Sequence, residues 1–284
     1  MKVFRLGSDA RAFRTASAAA SIGFVPTMGA LHDGHASLIE RAVREHDLAV
    51  VSIFVNPTQF APHEDFAAYP RDEAADLAMC ERIGAAMVFA PAVDEIYPLG
   101  DATRVRPGPI SERLEGSARP GHFVGVATVL TKLFSIVRPD VAYFGQKDFQ
   151  QLRVVQTMSR DLGLGVGVVG CPTVREPDGL AMSSRNRYLS ADERRNALAL
   201  SAALFAAQDD WSRGQRDPTN LRDGVKRAAA VPGVALEYVS VADPLTLDEL
   251  ARPAERALIS LAARVGRTRL IDNVLVGMKL EEIA

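Results

Sequence analysis

The stretch IGFVPTMGALHDGH, residues 22–35, carries an apolar run, a turn and the start of a helical pattern in direct succession. Residues 22–25 are apolar, and the turn that follows combines a proline, two glycines and two histidines. Beyond the turn, residues 38–43 repeat apolar side chains at the spacing of one helix face that packs on a sheet. The stretch therefore predicts a strand, a loop and a helix, the first half of a βαβ unit.

The same alternation continues through residue 170. Short apolar runs that predict strands are residues 22–25, 48–55, 86–90, 141–144 and 164–170. Helical patterns that alternate with them are residues 35–47, 72–83, 122–139 and 148–162. Nearly continuous apolar runs are typical of strands that are covered on both faces. We therefore predict an α/β fold with a doubly wound (Rossmann-like) parallel sheet.

The sequence changes character after Arg175. A polar, turn-rich segment leads to Ser190, which begins a helical pattern with Glu193 three residues later, as in a capping box. A second helix is expected around residues 218–230, and β-like runs follow at residues 234–241, 256–265 and 269–276. These patterns predict a second, smaller α+β domain. We place the boundary so that the domains are residues 1–176 and 177–284.

Composition excludes several classes of protein. The 284 residues have a net charge of −2, and the pI is near 6.2, so no basic field for nucleic acid is expected. The amino terminus lacks the apolar core of a secretory signal, and no uncharged apolar run reaches the roughly 18 residues of a membrane span. Two distant cysteines, Cys80 and Cys171, suit a reducing compartment. We expect a cytoplasmic protein with no membrane or nucleic-acid partner.

The loop between the first predicted strand and helix has the features of an anion site. Helix N-termini offer backbone N–H groups and the positive end of the dipole. His32 and His35, three residues apart, should project their imidazoles to one side, and Gly34 would let a phosphate or a flat ring approach the main chain. Two surface histidines without a function are the alternative. A metal site is less favoured, because no cysteine or third histidine is near in sequence.

The motif also resembles known families. HDGH, residues 32–35, resembles the His-x-Gly-His signature of the nucleotidyltransferase superfamily, and PTMGALHDGH, residues 26–35, resembles the pantoate–β-alanine ligase family in particular. Four later stretches agree with that family in the same order: FVNPTQF (54–60), YPRD (69–72), YFGQKDFQQL (143–152) and PTVREPDGLAMSSRNRYLS (172–190). The resemblance therefore runs through essentially the whole chain.

The resemblance implies an activity. It is the ATP-dependent condensation of (R)-pantoate with β-alanine through a pantoyl adenylate, in pantothenate and coenzyme A biosynthesis, with Mg²⁺ accompanying ATP. It also implies that the first domain binds ATP and pantoate, that the second closes over the active site, and that the chain is a homodimer. The implied ATP-binding residues are Met28, Gly29, Ala30, Leu31, His32, Asp33, Gly34, His35, Gly145, Gln146, Lys147, Asp148, Val174, Met182, Ser183, Ser184 and Arg185.

Adenylation brings two anions together, so cations must stabilise the departing pyrophosphate. The resemblance implies this role for four residues, with His35 as the proton donor: His32, His35, Lys147 and Arg185. For the lysine and the arginine, a solvated surface cation is the alternative. The implied pantoate and β-alanine contacts are Gln59, Gln151, Pro26, Met28 and Asn56. Asp76 is the implied magnesium ligand, although capping or solvent exposure would also explain it.

Two features depart from a simple match. Gln146 stands where the family commonly has a glutamate, which removes a carboxylate role at that position. Residues 165–170 spell a glycine-rich dinucleotide motif but run into Cys171 and Pro172 instead of opening a helix, so we reject that interpretation.

Other functional classes remain open at this level. One alternative is a nucleotidylyltransferase that transfers AMP to a phosphorylated small molecule. Another is a binding or regulatory protein that retains an inactive nucleotide fold. A transfer-RNA synthetase also uses a His-x-Gly-His site, but this chain is acidic overall and has no additional domain for RNA.

Overall fold

The computed structural model describes residues 1–62 and 64–283, and their contacts divide them into two compact units. The first unit comprises Met1–Gly145 and Gln150–Cys171, and the second comprises Gln146–Phe149 and the residues from Pro172 onward. The short segment Gln146–Phe149 therefore makes its main contacts within the second unit, although the residues before and after it belong to the first. The predicted domain boundary at residue 176 stays a prediction.

A parallel sheet of six strands, counted over the described residues, forms the centre of the first unit, in the order β1-β4-β3-β2-β5-β6. The strands are β1 (Lys2–Phe4), β2 (Ile22–Thr27), β3 (Leu48–Ile53), β4 (Met87–Phe89), β5 (Val141–Gly145) and β6 (Gly167–Cys171). The helices of this part of the chain are α1 (Gly7–Ala16), α2 (Asp33–Glu45), α3 (Glu73–Ile83), α4 (Val93–Ile96), α5 (Glu115–Ala118), α6 (His122–Val137) and α7 (Phe149–Asp161). The predicted doubly wound parallel sheet is confirmed.

Helices cover both faces of this sheet, as its apolar strands require. Val25 of β2 belongs to one cluster with Ile39 of α2, whereas the neighbouring Phe24 makes an edge contact with Phe134 of α6. Successive strand residues point to opposite faces, so α2 and α6 lie on opposite sides of the sheet. Cys80 and Cys171 are buried thiols.

The order of the strands reverses beside β2. The chain proceeds from β2 to β3 and β4 on one side, whereas β5 and β6 lie on the other side. Ligands of open α/β sheets bind beyond the carboxyl ends of the strands at such a reversal. The loop after β2, which begins at Met28, therefore occupies the position where a ligand is expected.

The second unit has an antiparallel sheet in the order β7-β8-β9. Its strands and longer helices are β7 (Val234–Ala242), β8 (Ala257–Val265), β9 (Thr268–Val276), α8 (Ala191–Ser212) and α9 (Pro218–Ala228). Short 3-10 helices occur at Gln146–Asp148 and Ser184–Tyr188. Ser190 and Glu193 form the predicted capping box at the start of α8, and the predicted α+β character is confirmed. Among the described residues, no helix combines the length and apolarity needed to cross a bilayer.

Candidate active site

The loop after β2 has an unusual backbone. Gly29 and Ala30 both have positive φ angles, 78° and 51°. A Cβ atom added to Gly29 would lie 2.9 Å from Oδ2 of Asp76, so the position requires glycine for space as well as for its backbone angle. Ala30 adopts a left-handed conformation that costs an ordinary residue about 1 kcal/mol, so the surrounding structure must stabilise it.

Asp76 of α3 provides that stabilisation. Its Oδ2 accepts the Ala30 N–H at 2.9 Å, and its Oδ1 accepts the Leu31 N–H at 2.7 Å. The carboxylate is only 3% exposed. The carboxyl group of Asp76 therefore binds two successive main-chain N–H groups of the loop. The main-chain N–H groups of Ala30 and Leu31 are thus used within the protein, and the predicted contacts of these residues with ATP stay predictions.

The same contacts bear on the predicted magnesium site. Both oxygens of Asp76 accept main-chain N–H groups, and each carboxylate oxygen keeps a second lone pair with which a ligand of Mg²⁺ would bind the ion. Within residues 1–62 and 64–283, no group of three or more His, Cys, Asp or Glu side chains is arranged to hold a metal. Asp76 anchors the loop, and its role as a magnesium ligand stays a prediction.

His32 and His35 lie at the start of α2, as predicted. Nδ1 of His32 accepts the Gly34 N–H at 3.2 Å, and Nδ1 of His35 accepts the His32 N–H at 3.3 Å. The two rings lie side by side, with centroids 4.1 Å apart, which confirms that they project in one direction. An Nδ1 atom that accepts a hydrogen bond carries no proton, so each neutral imidazole is protonated at Nε2. Asp33 and Gly34 complete this first turn.

The loop after β3 is organised by Asn56, which is 1% exposed. Its Oδ1 accepts hydrogen bonds from the Thr58 N–H, the Thr58 hydroxyl and the Tyr97 hydroxyl at 3.3, 2.9 and 2.9 Å. Its Nδ2 donates to Gln59 Oε1 at 3.0 Å and to the Gly125 carbonyl at 3.2 Å. Both hydrogens of the amide are used inside the protein. Asn56 thus supports the loop, and its predicted contact with a substrate stays a prediction.

Helix α6 approaches this loop closely through Gly125. A Cβ atom at Gly125 would lie 2.4 Å from the carbonyl oxygen of Thr58, so no side chain fits between the helix and the loop. Backbone therefore meets backbone at this contact.

Gln59 and Met28 come together, as the resemblance implies for a pantoate pocket. Gln59 Nε2 donates to Met28 Sδ at 3.0 Å, while its Oε1 accepts from Asn56. The orientation of the Gln59 amide is thereby fixed before any ligand binds. Pro26 is half-buried on β2, and Gln151 is half-buried on α7.

Three residues around Gln59 were not anticipated from the sequence. His122 Nδ1 lies 2.8 Å from the Gln59 carbonyl oxygen, and Arg119 donates to the same oxygen at 3.3 Å and to His122 Nε2 at 3.2 Å. Glu64 binds the Arg119 guanidinium through both oxygens, at 2.6 and 2.7 Å. The only sequence signal was a histidine at the start of an otherwise apolar helix.

This cluster, Glu64–Arg119–His122, has strongly shifted proton affinities. Burial, assisted by the charge of Arg119, lowers the pKa of His122 to about 4, so the imidazole is neutral at physiological pH. Burial alone would raise the pKa of Glu64, but its hydrogen bonds with Arg119 outweigh burial and lower that pKa to about 2. The neutral histidine donates from Nδ1 to the Gln59 carbonyl and accepts from Arg119 at Nε2.

Lys147 lies in the 3-10 helix Gln146–Asp148 of the second unit. Asn273 of β9 donates to the carbonyl oxygens of Gln146 at 3.0 Å and Lys147 at 2.9 Å, and the Gln146 amide donates to Asn273 Oδ1 at 3.4 Å. A glutamate at position 146 could not make that last contact when ionised. Gly145 ends β5, and Asp148 is exposed with its carboxylate 3.8 Å from the Lys147 ammonium.

The predicted phosphate clamp is a small hairpin, also in the second unit. Arg175 pairs with Ala181, and the Met182 N–H donates to the Val174 carbonyl at 3.0 Å. The remaining predicted residues follow at once in the 3-10 turn: Ser183 as its cap, then Ser184 and Arg185. Val174 and Met182 are therefore brought together.

The two sets of predicted residues belong to different units. His32, His35, Gln59 and Gln151 lie in the first, whereas Lys147 and Arg185 lie in the second. In the first unit the two histidines lie side by side. That the two sets converge on one ATP molecule stays a prediction.

A doubly wound parallel sheet, with a His-Asp-Gly-His turn opening the helix at its reversal point, defines the class of α/β nucleotide-binding enzymes. Comparison with known proteins identifies the family within that class. The family model described as pantoate-beta-alanine ligase matches residues 2–275. The chain belongs to this family of amide-forming ligases.

Individual relatives support the same family assignment. A pantothenate synthetase of Acidobacterium capsulatum is 55% identical over 258 residues, which cover 90% of this chain and 86% of the relative. A pantothenate synthetase structure from Thermus thermophilus superposes with a TM-score of 0.92 at 46% identity, covering 96% and 99% of the two chains. A pantoate-beta-alanine ligase from Francisella tularensis, described as complexed with beta-gamma ATP and beta-alanine, gives 0.81 at 36% identity, covering 98% and 99%.

Proposed function

We propose that this protein condenses (R)-pantoate with β-alanine to form pantothenate, with conversion of ATP to AMP and pyrophosphate through a pantoyl adenylate. The observation that carries this proposal is the turn at His32 and His35. Two imidazoles lie side by side at a helix N-terminus, each protonated at Nε2 by virtue of its capping hydrogen bond. Such a pair of aligned donors suits the phosphate oxygens of a nucleotide.

In the first step, a carboxylate oxygen of pantoate attacks the α-phosphorus of ATP, the bond to the oxygen that bridges to the β-phosphate breaks, and pyrophosphate leaves. The transition state places more negative charge on the departing group, so donors and cations aimed there lower the barrier. We assign His32 and His35 to this role, with His35 as the proton donor, and Lys147 and Arg185 to the β and γ phosphates. The backbone of Met28–Leu31 would enclose the nucleotide.

Pantoate binding is assigned to Gln59 and Gln151, with Pro26 and Met28 as apolar contacts for its gem-dimethyl group. Gln supplies both donor and acceptor atoms for the substrate's hydroxyl groups. The fixed orientation of the Gln59 amide supports this assignment, because a preorganised partner costs less entropy on binding.

In the second step, the amine of β-alanine attacks the acyl carbon of the adenylate, AMP leaves, and the new amide loses a proton. AMP is a good leaving group, so positioning of the amine contributes more than a strong base. Mg²⁺ is proposed to accompany ATP, held by phosphate oxygens and water, with Asp76 as the candidate ligand from the protein. A homodimer in the cytoplasm also remains a proposal.

An assay with the substrates supplied separately tests the function. Pyrophosphate release from ATP should require pantoate, AMP should appear only once β-alanine is added, and hydroxylamine should trap the acyl adenylate as a hydroxamate. Pyrophosphate release that does not require pantoate, and that requires a phosphorylated acceptor instead, would indicate a nucleotidylyltransferase.

The role of the histidine turn has its own test. We expect His35→Ala to lower the rate of pyrophosphate release by roughly 100-fold or more, as loss of a transition-state donor does. The melting temperature should change little, because His35 is only partly buried. Turnover equal to that of the unmodified protein would refute the assignment.

A further inference from the structure

Strand β9 carries two adjacent buried polar residues, Asp272 and Asn273, each only 4% exposed. They interrupt a strand whose Leu270 and Val274 belong to the apolar core of the second unit. Burying a carboxylate and an amide is unfavourable unless each is hydrogen-bonded, so their partners reveal why they are there. Those partners lie in the turn that carries Lys147 and in the hairpin that precedes Arg185, the two residues to which we assign ATP phosphate binding.

Asn273 organises the turn that carries Lys147. Its Nδ2 donates to two successive carbonyl oxygens, those of Gln146 and Lys147, at 3.0 and 2.9 Å. Carbonyls of a 3-10 turn that converge on a single amide fix the direction of the backbone there. The Lys147 side chain therefore leaves the backbone from a turn whose main chain is held by β9.

Asp272 organises the hairpin that precedes Arg185. Its two oxygens accept from the Arg175 guanidinium at 2.7 and 3.0 Å, and its Oδ1 also accepts the Asn273 N–H at 2.8 Å. Arg175 in turn donates to the Gly179 carbonyl at 3.2 Å, across the hairpin. One bidentate ion pair thus joins β9 to the first arm of the hairpin, and Arg175 also holds the turn of the hairpin through Gly179.

Successive side chains of a strand point to opposite faces, so Asp272 and Asn273 reach these two segments from opposite sides of β9. We propose that this dipeptide is a shared positioning element, which sets the Lys147 turn and the Met182–Arg185 turn relative to each other for binding of the ATP phosphates. The inference rests on the proposed roles of Lys147 and Arg185. Neither residue of the dipeptide is assigned a contact with ATP.

A double-mutant cycle tests whether Asn273 acts through Lys147. The dissociation constant for ATP is measured by calorimetry for the full chain, Asn273→Ala, Lys147→Ala and the double variant. We expect Asn273→Ala alone to weaken ATP binding roughly tenfold and to change KM for pantoate by less than about twofold. In the Lys147→Ala background, Asn273→Ala should add less than about twofold.

Other outcomes overturn the inference. Equal effects of Asn273→Ala in both backgrounds would show that Asn273 acts independently of Lys147, and a matching rise of KM for pantoate would show general damage. If Asn273→Ala does not fold, the same double-mutant cycle is measured with Asn273→Ser, which keeps one hydrogen-bond donor. If Lys147→Ala binds ATP and turns over as the unmodified protein does, the proposed function of Lys147 fails; additivity with a defective Lys147→Ala contradicts only the positioning role.

The matched control is Ser260→Ala. Ser260 is buried on β8 and is the cross-strand partner of Asn273, so its truncation perturbs the same part of the sheet. It should leave the dissociation constant for ATP within about twofold and show no coupling to Lys147→Ala. Asp272→Asn provides the second arm: it should couple to Arg185→Ala in the same way, and additivity there would refute the shared role of the dipeptide.

Discussion

The two loops assigned to ATP are each anchored by a buried aspartate, but in different ways. In the first unit, Asp76 accepts two main-chain N–H groups of the loop itself. In the second unit, Asp272 accepts the side chain of Arg175 through a bidentate ion pair. The first anchor fixes the backbone atoms directly, whereas the second acts through a long side chain. A loop with two successive positive φ angles needs the first kind, and a regular hairpin needs only the second.

The largest effect is expected from removing the first anchor. Asp76→Ala would leave the buried Ala30 and Leu31 N–H groups without acceptors, so we expect a loss of about 2–4 kcal/mol in the free energy of unfolding. The rate of adenylation should fall by roughly 100-fold, because a displaced loop no longer positions the nucleotide for attack. Urea unfolding and pyrophosphate release measure the two effects. Unchanged stability with a selective loss of Mg²⁺ dependence would instead make Asp76 a metal ligand.

Acidification should destabilise the first unit through His122. The pKa of His122, in the first unit, is lowered to about 4 from 6.5, so the unfolded chain takes up a proton at a higher pH than the folded chain does. The contribution of His122 to the free energy of unfolding is therefore fully present above about pH 6.5 and is lost as the pH falls toward 4. At pH 5 the loss is about 2 kcal/mol. Glu64 does not offset this loss, because its pKa is lowered to about 2 and it stays ionised.

The measurement compares urea unfolding of the unmodified protein and of His122→Asn between pH 8 and pH 5. Asparagine keeps a donor near the position of Nδ1 but does not titrate, so its stability should fall less steeply with acid. Parallel curves for the two proteins would show that His122 does not contribute.

The smallest effect concerns the two residues with positive φ angles in the first loop. Gly29→Ala should destabilise by about 1–3 kcal/mol, since it adds backbone strain and a close contact with Asp76. Ala30→Gly, its matched control, relieves strain but gains flexibility in the unfolded chain, so the net change should stay within about 1 kcal/mol. Thermal melting measures both. Equal destabilisation by the two changes would refute the account of the loop as strained and anchored.

Much of the fold was predictable, because its signals are local. Strand runs, the Ser190 capping box and the antiparallel C-terminal strands all appear as patterns within ten or so residues. Strand β1 was missed, since a three-residue strand gives almost no periodicity. The side-by-side histidines were also predictable, because a helix start fixes the direction of residues three apart.

The anchors of the site could not be predicted in the same way. Asp76 is separated from its partner Leu31 by 45 residues, and Asn273 from Lys147 by 126. Only the packed fold brings such residues together, and a sequence pattern records neither the contact nor its hydrogen bonds. The same holds for Asn56, whose neighbouring motif suggested a substrate contact although its amide is used inside the protein.

The contact between Gly125 and Thr58 has a practical consequence for redesign. Since no side chain fits between α6 and the loop that carries Gln59, that wall of the proposed pantoate pocket consists of main chain at its closest point. A variant that accepts a bulkier hydroxy acid cannot gain room by trimming a side chain at this contact. Space must come from shortening Pro26 or Met28, which are half-buried and are the proposed apolar contacts of pantoate.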